Sequence, residues 1–230
     1  MARRTPGPEG HEIVALIRDK KGQSGGRRLR QIFTQLGFED CLPAITVVDG
    51  EITEPHMGVA PKMQALKNLT KIIHCAACTN FKDNFSQATY NTNVVGTQHA
   101  LAFARQHSLL MIYVSTAYIA GKRSGRVFEN ELDKGQSFNN AYENTKCLAE
   151  QKVHAWSEET GLPTMVLRPS IVLGDTLAGR TVRFNSLYDL LRVLDLIVPH
   201  KQDDLLHIPA QSQTTKKLFP WIILPRWRAS

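Results

Sequence analysis

The sequence predicts an α/β fold built on a doubly wound parallel sheet. Three observations predict it. Short apolar strands alternate regularly with amphipathic helical segments, the strands are apolar on both faces instead of alternating, and polar residues gather just beyond the strand ends. His11 to Arg18 is the first strand, and Asp19 to Ser24 a polar, glycine-bearing turn. Arg27 to Leu36 carries Leu29, Ile32, Phe33 and Leu36 at helical spacing. Ala44 to Val48 is a β-branched strand, and Ala60 to Leu69 a helix with Met63, Leu66 and Leu69 inward. Lys71 to Ala77 is a strand, Tyr90 to Gln106 a long helix, and Leu109 to Ser115 a fully apolar strand. Asn140 to Thr160 is the next helix, followed by strand residues 163–169 and the segment Ile171 to Gly174. Such a sheet is expected to be covered on both faces.

Composition narrows the function classes. With 230 residues and 42% apolar content, the chain holds one globular domain with a sizeable core. Disorder is excluded for most of it. No run of about 18 apolar residues is present, so no membrane-spanning helix is expected. Residues 1–8 lack the apolar core of a secretory signal, and the twin Arg3-Arg4 does not substitute for it. The organisation expected is an extension at 1–10, a body at 11–215 and an atypical basic tail at 216–230. That tail holds Lys216, Lys217, Arg226 and Arg228 and no acid, so it supplies four of the seven net positive charges. No compact basic stripe with interleaved aromatics exists, which argues against a nucleic-acid partner. Cys75-Ala76-Ala77-Cys78 has the spacing of a metal half-site but no second ligand pair. Two ordinary buried thiols in a reducing cytoplasm are the expected reading, and no metal is expected. Oligomeric state is left open.

In open parallel sheets, ligands bind beyond the carboxyl ends of the strands. The polar residues there are Arg18, Glu51, His74, Thr116 and Ser170. Tyr142 and Lys146 lie four apart on a predicted helix, so phenol and ammonium share a face. A nearby ammonium favours phenolate and is expected to lower the tyrosine pKa toward working pH, where a general acid is most useful. Thr116, 26 residues upstream of Tyr142, ends a strand and can hydrogen-bond the carbonyl oxygen that Tyr142 protonates. Asn93, an amide within a helix, is expected to hold a water in a proton relay or to serve helix packing.

The ordered set Ile73-His74-Cys75-Ala76-Ala77, Asn93-Val94-Val95-Gly96-Thr97, Val114-Ser115-Thr116-Ala117-Tyr118, Tyr142 with Lys146, and Leu167-Arg168-Pro169-Ser170-Ile171-Val172 resembles the extended short-chain dehydrogenase/reductases. It is most similar to their fatty acyl-CoA reductase (male-sterility) and thioester-reductase branch, over about residues 11 to 210. The resemblance implies a Rossmann-type domain that reduces an acyl thioester, on CoA or an acyl carrier protein, with a nicotinamide cofactor. It makes Tyr142 the proton donor and gives Lys146 the ribose and the tuning of Tyr142. Thr116 orients the carbonyl, and Asn93 joins the relay. Ala76 and Ala77 border the cofactor, and Pro169, Ser170 and Ile171 lie beside the nicotinamide. Arg18 at the end of the first strand suits a 2′-phosphate, which favours NADP(H) over NAD(H), while Glu51 is placed to reach the adenine amino group.

Two features depart from that pattern. No strand followed by a G-x-x-G-x-x-G loop is found, so the first strand and its phosphate cradle are expected to be lacking. After Thr215 the composition changes in a way expected of a frameshifted or artificial end, with a basic, aromatic membrane-surface tail as the functional alternative. The expectation is therefore a truncated, impaired reductase. A reductase or epimerase of a nucleotide sugar or sterol, and a non-catalytic remnant or interaction module, stand as alternatives. Acyl length, CoA against carrier protein, and aldehyde against alcohol remain open.

Overall fold

Five short strands and the helices between them follow the predicted alternation. They are seen in a computed structural model that describes residues 12–59, 66, 68–81 and 86–172. The chain divides into two compact units, Met1–Arg123 with Phe128–Arg183, and Ser124–Val127 with Phe184–Ser230. All that follows concerns the first. The extension at 1–10, the tail at 216–230 and the segment after Val172 fall outside the described residues, as does most of the predicted helix at 60–69.

Strands β1 (Ile13–Leu16) and β2 (Ile45–Val48) pair in parallel, Leu16 opposite Val48. Between them runs helix α1 (Gly25–Leu36), begun by the Ser24 side chain accepting from Arg27 N and ended by Gly37 at φ 71°. That left-handed conformation is one that glycine adopts without steric cost. Strands β3 (Lys71–His74), β4 (Leu110–Val114) and β5 (Thr164–Leu167) form a second, wholly parallel ladder in the order β3-β4-β5. The sequence-based expectation of one parallel sheet is met as two parallel ladders among the described residues.

Helix α2 (Gln87–Tyr90), a π-type turn at Asn91–Val95 and helix α3 (Gly96–Gln106) make one continuous rod before β4. Helix α4 (Ala141–Thr160) precedes β5. The core lies between these helices and one face of the β3-β5 ladder, where Leu109, Met111, Tyr113, Ala104, Val153 and Trp156 are buried together. Burying each large apolar side chain contributes about 1.5–3 kcal/mol. The loop after β2 is docked on the same rod: a Cβ on Gly96 would lie 2.8 Å from Ile52 Cδ1, and the His99 ring meets the Ile52 carbonyl at 2.9 Å. The opposite face of the ladder keeps Ile73, Met165 and Leu167 exposed, so among the described residues the sheet is covered on one face, not on two. No helix of the described residues is long and apolar enough to cross a membrane.

Candidate active site

The start of α4 sets the position of Tyr142. Asn140 is the N-cap, its side chain accepting from Glu143 N at 3.0 Å. The buried Glu143 carboxylate reaches back to Asn139 N at 2.9 Å. This reciprocal capping ties off the first helical turn, in which Tyr142 sits. Thr116, two residues after β4, caps the short turn Ala117–Ala120, accepting from Tyr118 N at 3.3 Å. Helix α4 packs against the short turn that Thr116 caps, which brings the predicted groups together: Thr116 is 4% exposed, Tyr142 8% and Lys146 3%.

Lys146 does not behave as the motif alone predicts. Its Nζ donates to the Val114 carbonyl at 2.7 Å and lies 4.2 Å from the centre of the Tyr113 ring. Burial lowers its pKa to about 8, with the Cys75 thiol and the Glu150 carboxylate pulling the other way. The expected lowering of the Tyr142 pKa is reversed: burial pushes the phenol above its ordinary value, against the hydrogen bond from Thr116. Desolvation, which disfavours phenolate, outweighs any pull from an ammonium committed to a backbone carbonyl.

Asn93 is bound to the loop after β3 and to α4. It sits in the π-type turn, 1% exposed, and both ends of its amide are engaged by the protein. Its Oδ1 accepts from Cys78 N at 2.7 Å, and its Nδ2 donates to the Cys78 carbonyl at 3.1 Å and to Thr145 Oγ1 at 2.9 Å. Asn93 therefore pins the loop after β3 to α4. A π-type turn is a frequent device for re-aiming a side chain at a functional position.

That loop carries Ala76, exposed, and Ala77, half-buried, so no long side chain closes the strand end. Cys75 is exposed and Cys78 half-buried, which corrects the expectation of two buried thiols. Among the described residues no group of three or more candidate ligands holds a metal site. Pro169 is tied to the Thr116 loop, its carbonyl accepting from Ala117 N at 3.0 Å, and Ser170 and Ile171 beyond it are exposed. Arg18 and Glu51 follow the ends of β1 and β2 and pair with each other at 3.1 Å. Glu51 is held below its ordinary pKa: burial works against this, but the Arg18 and Thr53 hydrogen bonds outweigh it.

Several residues emerge only in three dimensions. Phe81 sets its ring edge to Tyr142 at 4.9 Å, with Tyr118 beyond it at 6.2 Å. His74, buried beneath the site, bonds Thr97 Oγ1 through Nε2 at 3.0 Å. Burial and the Lys146 charge lower its pKa to about 4. Arg28 reaches the Arg18 carbonyl at 2.8 Å and adds a second guanidinium near the end of β1. On α4, Glu150 and His154 continue the four-residue spacing of Tyr142 and Lys146 along one stripe.

The order of these motifs is matched by the profile of the male sterility protein family, an NAD-binding family, over residues 4–198. The chain belongs to that family. Among male sterility relatives, a Drosophila melanogaster protein bearing the name of a fatty acyl-CoA reductase is 28% identical over 203 residues, covering 73% of this chain and 37% of that protein. A carboxylic acid reductase of Segniliparus rugosus is 25% identical over 187 residues, covering 72% of this chain and 16% of that protein. The solved terminal R domain from the myxalamid PKS-NRPS biosynthetic pathway is 29% identical with a TM-score of 0.63, over 72% of this chain and 44% of the domain. The chain thus spans less than half the length of each of these proteins. These similarities place the male sterility fold of this chain among the Rossmann-type reductase domains of the extended short-chain dehydrogenase/reductases.

Proposed function

We propose that the chain reduces an acyl thioester, carried on CoA or on a carrier protein, to the aldehyde or alcohol with NADPH. The observation that carries this reading is the convergence of Thr116, Tyr142 and Lys146, all buried, where β4 ends and α4 begins. The thioester class comes from the relatives, which are named for acyl-CoA, carboxylic acid and peptide-synthetase reductase chemistry.

The residues present suit a nicotinamide dinucleotide: small side chains at Ala76 and Ala77, an ammonium at Lys146, and the cations Arg18 and Arg28 at the end of β1. The bound nicotinamide supplies the hydride. As the carbonyl carbon becomes tetrahedral, negative charge develops on its oxygen, and fixed donors in a dry site stabilise that charge far better than water does. Tyr142 gives the proton. Its raised pKa keeps the phenol protonated and able to donate. Thr116, whose oxygen accepts from Tyr118 N, turns its one hydroxyl hydrogen from the phenol to the substrate oxygen when substrate is bound. The carbon–sulfur bond then breaks, the thiol leaves and the aldehyde remains. Lys146 is placed to bond the ribose and to supply positive charge beneath the phenol, mostly protonated at pH 7 given a pKa of about 8. Arg18, with Arg28 beside it, favours a 2′-phosphate, and Glu51 next to Arg18 is positioned for the adenine end.

The test is NADPH oxidation by the purified chain with acyl-CoA and with a carrier-bound acyl group. Tyr142→Phe should lower turnover by about 10²-fold or more while leaving NADPH affinity within a few-fold. A variant with near-normal turnover removes Tyr142 from the chemistry. Binding of acyl thioester without turnover in the wild type favours the interaction-module reading.

A further inference from the structure

One charged side chain in the centre of the molecule is left over by the mechanism above. Glu150 lies two helical turns beyond Tyr142 on the same stripe of α4, and it is 0% exposed. A buried carboxylate is costly unless it is paired and fully hydrogen-bonded. Glu150 is both. Arg168, just after β5, donates to Oε1 through Nε at 2.9 Å and through Nη2 at 2.5 Å. The hydroxyl of Ser115, which follows β4, donates to Oε2. His154 Nε2 approaches Oε1 at 3.4 Å from the next turn of α4. Arg168 spends a further donor on the Glu131 carbonyl at 2.9 Å, so the guanidinium is itself fixed.

The partners of Glu150 are the immediate neighbours of site residues. Ser115 precedes Thr116, and Arg168 precedes Pro169, Ser170 and Ile171. Lys146 stands one helical turn before Glu150, and the carboxylate favours its charged form. We propose that Glu150 is a positioning residue of this site: its carboxylate ties the end of β4 to the end of β5 and is the counter-charge of Lys146. The proposal rests on the reductase reading for the meaning of "site", but the clamp and the charge are testable without turnover.

The groups facing Lys146 are His74 on β3, Cys75 after it, Tyr113 on β4 and Glu150 on α4, the last held in turn by Arg168. His74 is neutral near pH 7, and Tyr113 and Tyr142 are both pushed above their ordinary values by burial. Glu150 is the carboxylate among these groups, one helical turn beyond Lys146 on α4. Replacing it with glutamine keeps the shape and removes the charge, so the Lys146 ammonium loses its support and deprotonates at lower pH. Removing only the Ser115 hydroxyl leaves the charge and loosens the tie to β4.

The experiment compares the wild-type chain with Glu150→Gln, Glu150→Asp and Ser115→Ala. The Lys146 ammonium is titrated by NMR on lysine-labelled protein, the resonance being assigned by its loss in Lys146→Arg. In Glu150→Gln the midpoint should fall by about half a pH unit or more, and in Ser115→Ala it should stay where it is. Turnover of NADPH with acyl-CoA gives the second readout. Ser115→Ala and Glu150→Asp, which keep the charge but disturb the geometry, should lose about 10-fold in kcat with KM within a few-fold. An unmoved midpoint in Glu150→Gln, or an equal fall in Ser115→Ala, overturns the electrostatic half. Wild-type kcat in both Ser115→Ala and Glu150→Asp overturns the positioning half. If Glu150→Gln does not fold, Glu150→Asp decides the positioning half through its kcat. A moved midpoint in Glu150→Gln together with no turnover in the wild type sinks the reductase reading and leaves the counter-charge standing.

Discussion

Residues 71–172 and residues 12–59 place their polar groups in opposite ways. In the first region His74, Asn93, Thr97, Thr116, Glu143, Thr145, Lys146 and Glu150 are all buried, and each is engaged by named partners. In the second, Arg18, Lys20, Lys21, Arg27 and Arg30 are exposed, with Asp19 the acid in the same stretch. Burial makes every hydrogen bond in the first region costly to lose, because the orphaned partner cannot turn to water. Exposure makes each cation in the second individually dispensable for the fold. Under the function proposed above, the difference divides the labour: the buried region holds the reacting groups, and the solvated region meets an anionic ligand through charge.

The largest effect should come from Asn93, where the rigid region is most tightly crossed. Asn93→Ala removes the partner of Cys78 N, of the Cys78 carbonyl and of Thr145 Oγ1 at once. Each buried group left unsatisfied costs about 1–3 kcal/mol, so a loss of about 4 kcal/mol is expected, a large share of a domain's stability. Urea unfolding of the variant beside wild type measures it. A loss under about 1 kcal/mol means that the loop after β3 relaxes freely and that Asn93 does not hold it.

His74 gives the next effect, and its sign follows from linkage. Its folded pKa is about 4 against an ordinary 6.5, because burial and the Lys146 charge both oppose protonation. Between those values the unfolded chain binds a proton that the folded chain does not, so stability falls as pH drops from 6.5 toward 4. Above pH 6.5 this contribution is fully present. The loss across the window is about 3 kcal/mol, at 1.36 kcal/mol per unit. His74→Gln keeps a donor for Thr97 but cannot titrate, so its unfolding free energy should decline less over the same pH range. Parallel acid limbs for the two chains would show that His74 is not the titrating group.

Much of the fold was legible because it rests on local periodicity. Apolar runs of strand length and helical spacing placed β1 to β5, α1 and α4 within a few residues of where they lie. The π-type turn at Asn91–Val95 was not legible, since one extra residue per turn leaves the apolar pattern of a helix nearly intact. Thr116, Tyr142 and Lys146 were legible as a set because four-residue spacing and a strand end are sequence properties. What they do to one another was not. The Tyr142 pKa depends on burial, and the Lys146 ammonium on a carbonyl of β4, neither of which is encoded in the spacing. The Arg18–Glu51 pair needed the register that sets Leu16 opposite Val48. Glu150 was visible as the next residue of the α4 stripe, but Ser115 and Arg168 reach it only through the parallel pairing of β4 with β5.

The smallest effect on stability should come from Arg18, and it sharpens the contrast most. The Arg18 side chain is 53% exposed and that of Glu51 31%, so their 3.1 Å pair lies in the range where ion pairs contribute about 0–1 kcal/mol. Arg18→Ala should leave thermal unfolding almost unchanged. Its effect on ligand choice is larger, because a guanidinium forms charge-assisted hydrogen bonds to a 2′-phosphate that a ribose hydroxyl cannot match. NADPH affinity should fall about 10-fold and NADH affinity little, as read by calorimetric titration with each dinucleotide. Glu51→Gln acts in the other direction: it frees Arg18 from its carboxylate partner and removes a negative charge from the phosphate's path, so NADPH should bind more tightly. Salt should weaken NADPH binding more than NADH binding, since the discriminating contact is solvent-exposed and screened. Equal losses for both dinucleotides in Arg18→Ala would place the 2′-phosphate elsewhere, and a clear fall in unfolding temperature would show that this exposed region carries structural weight that its exposure denies.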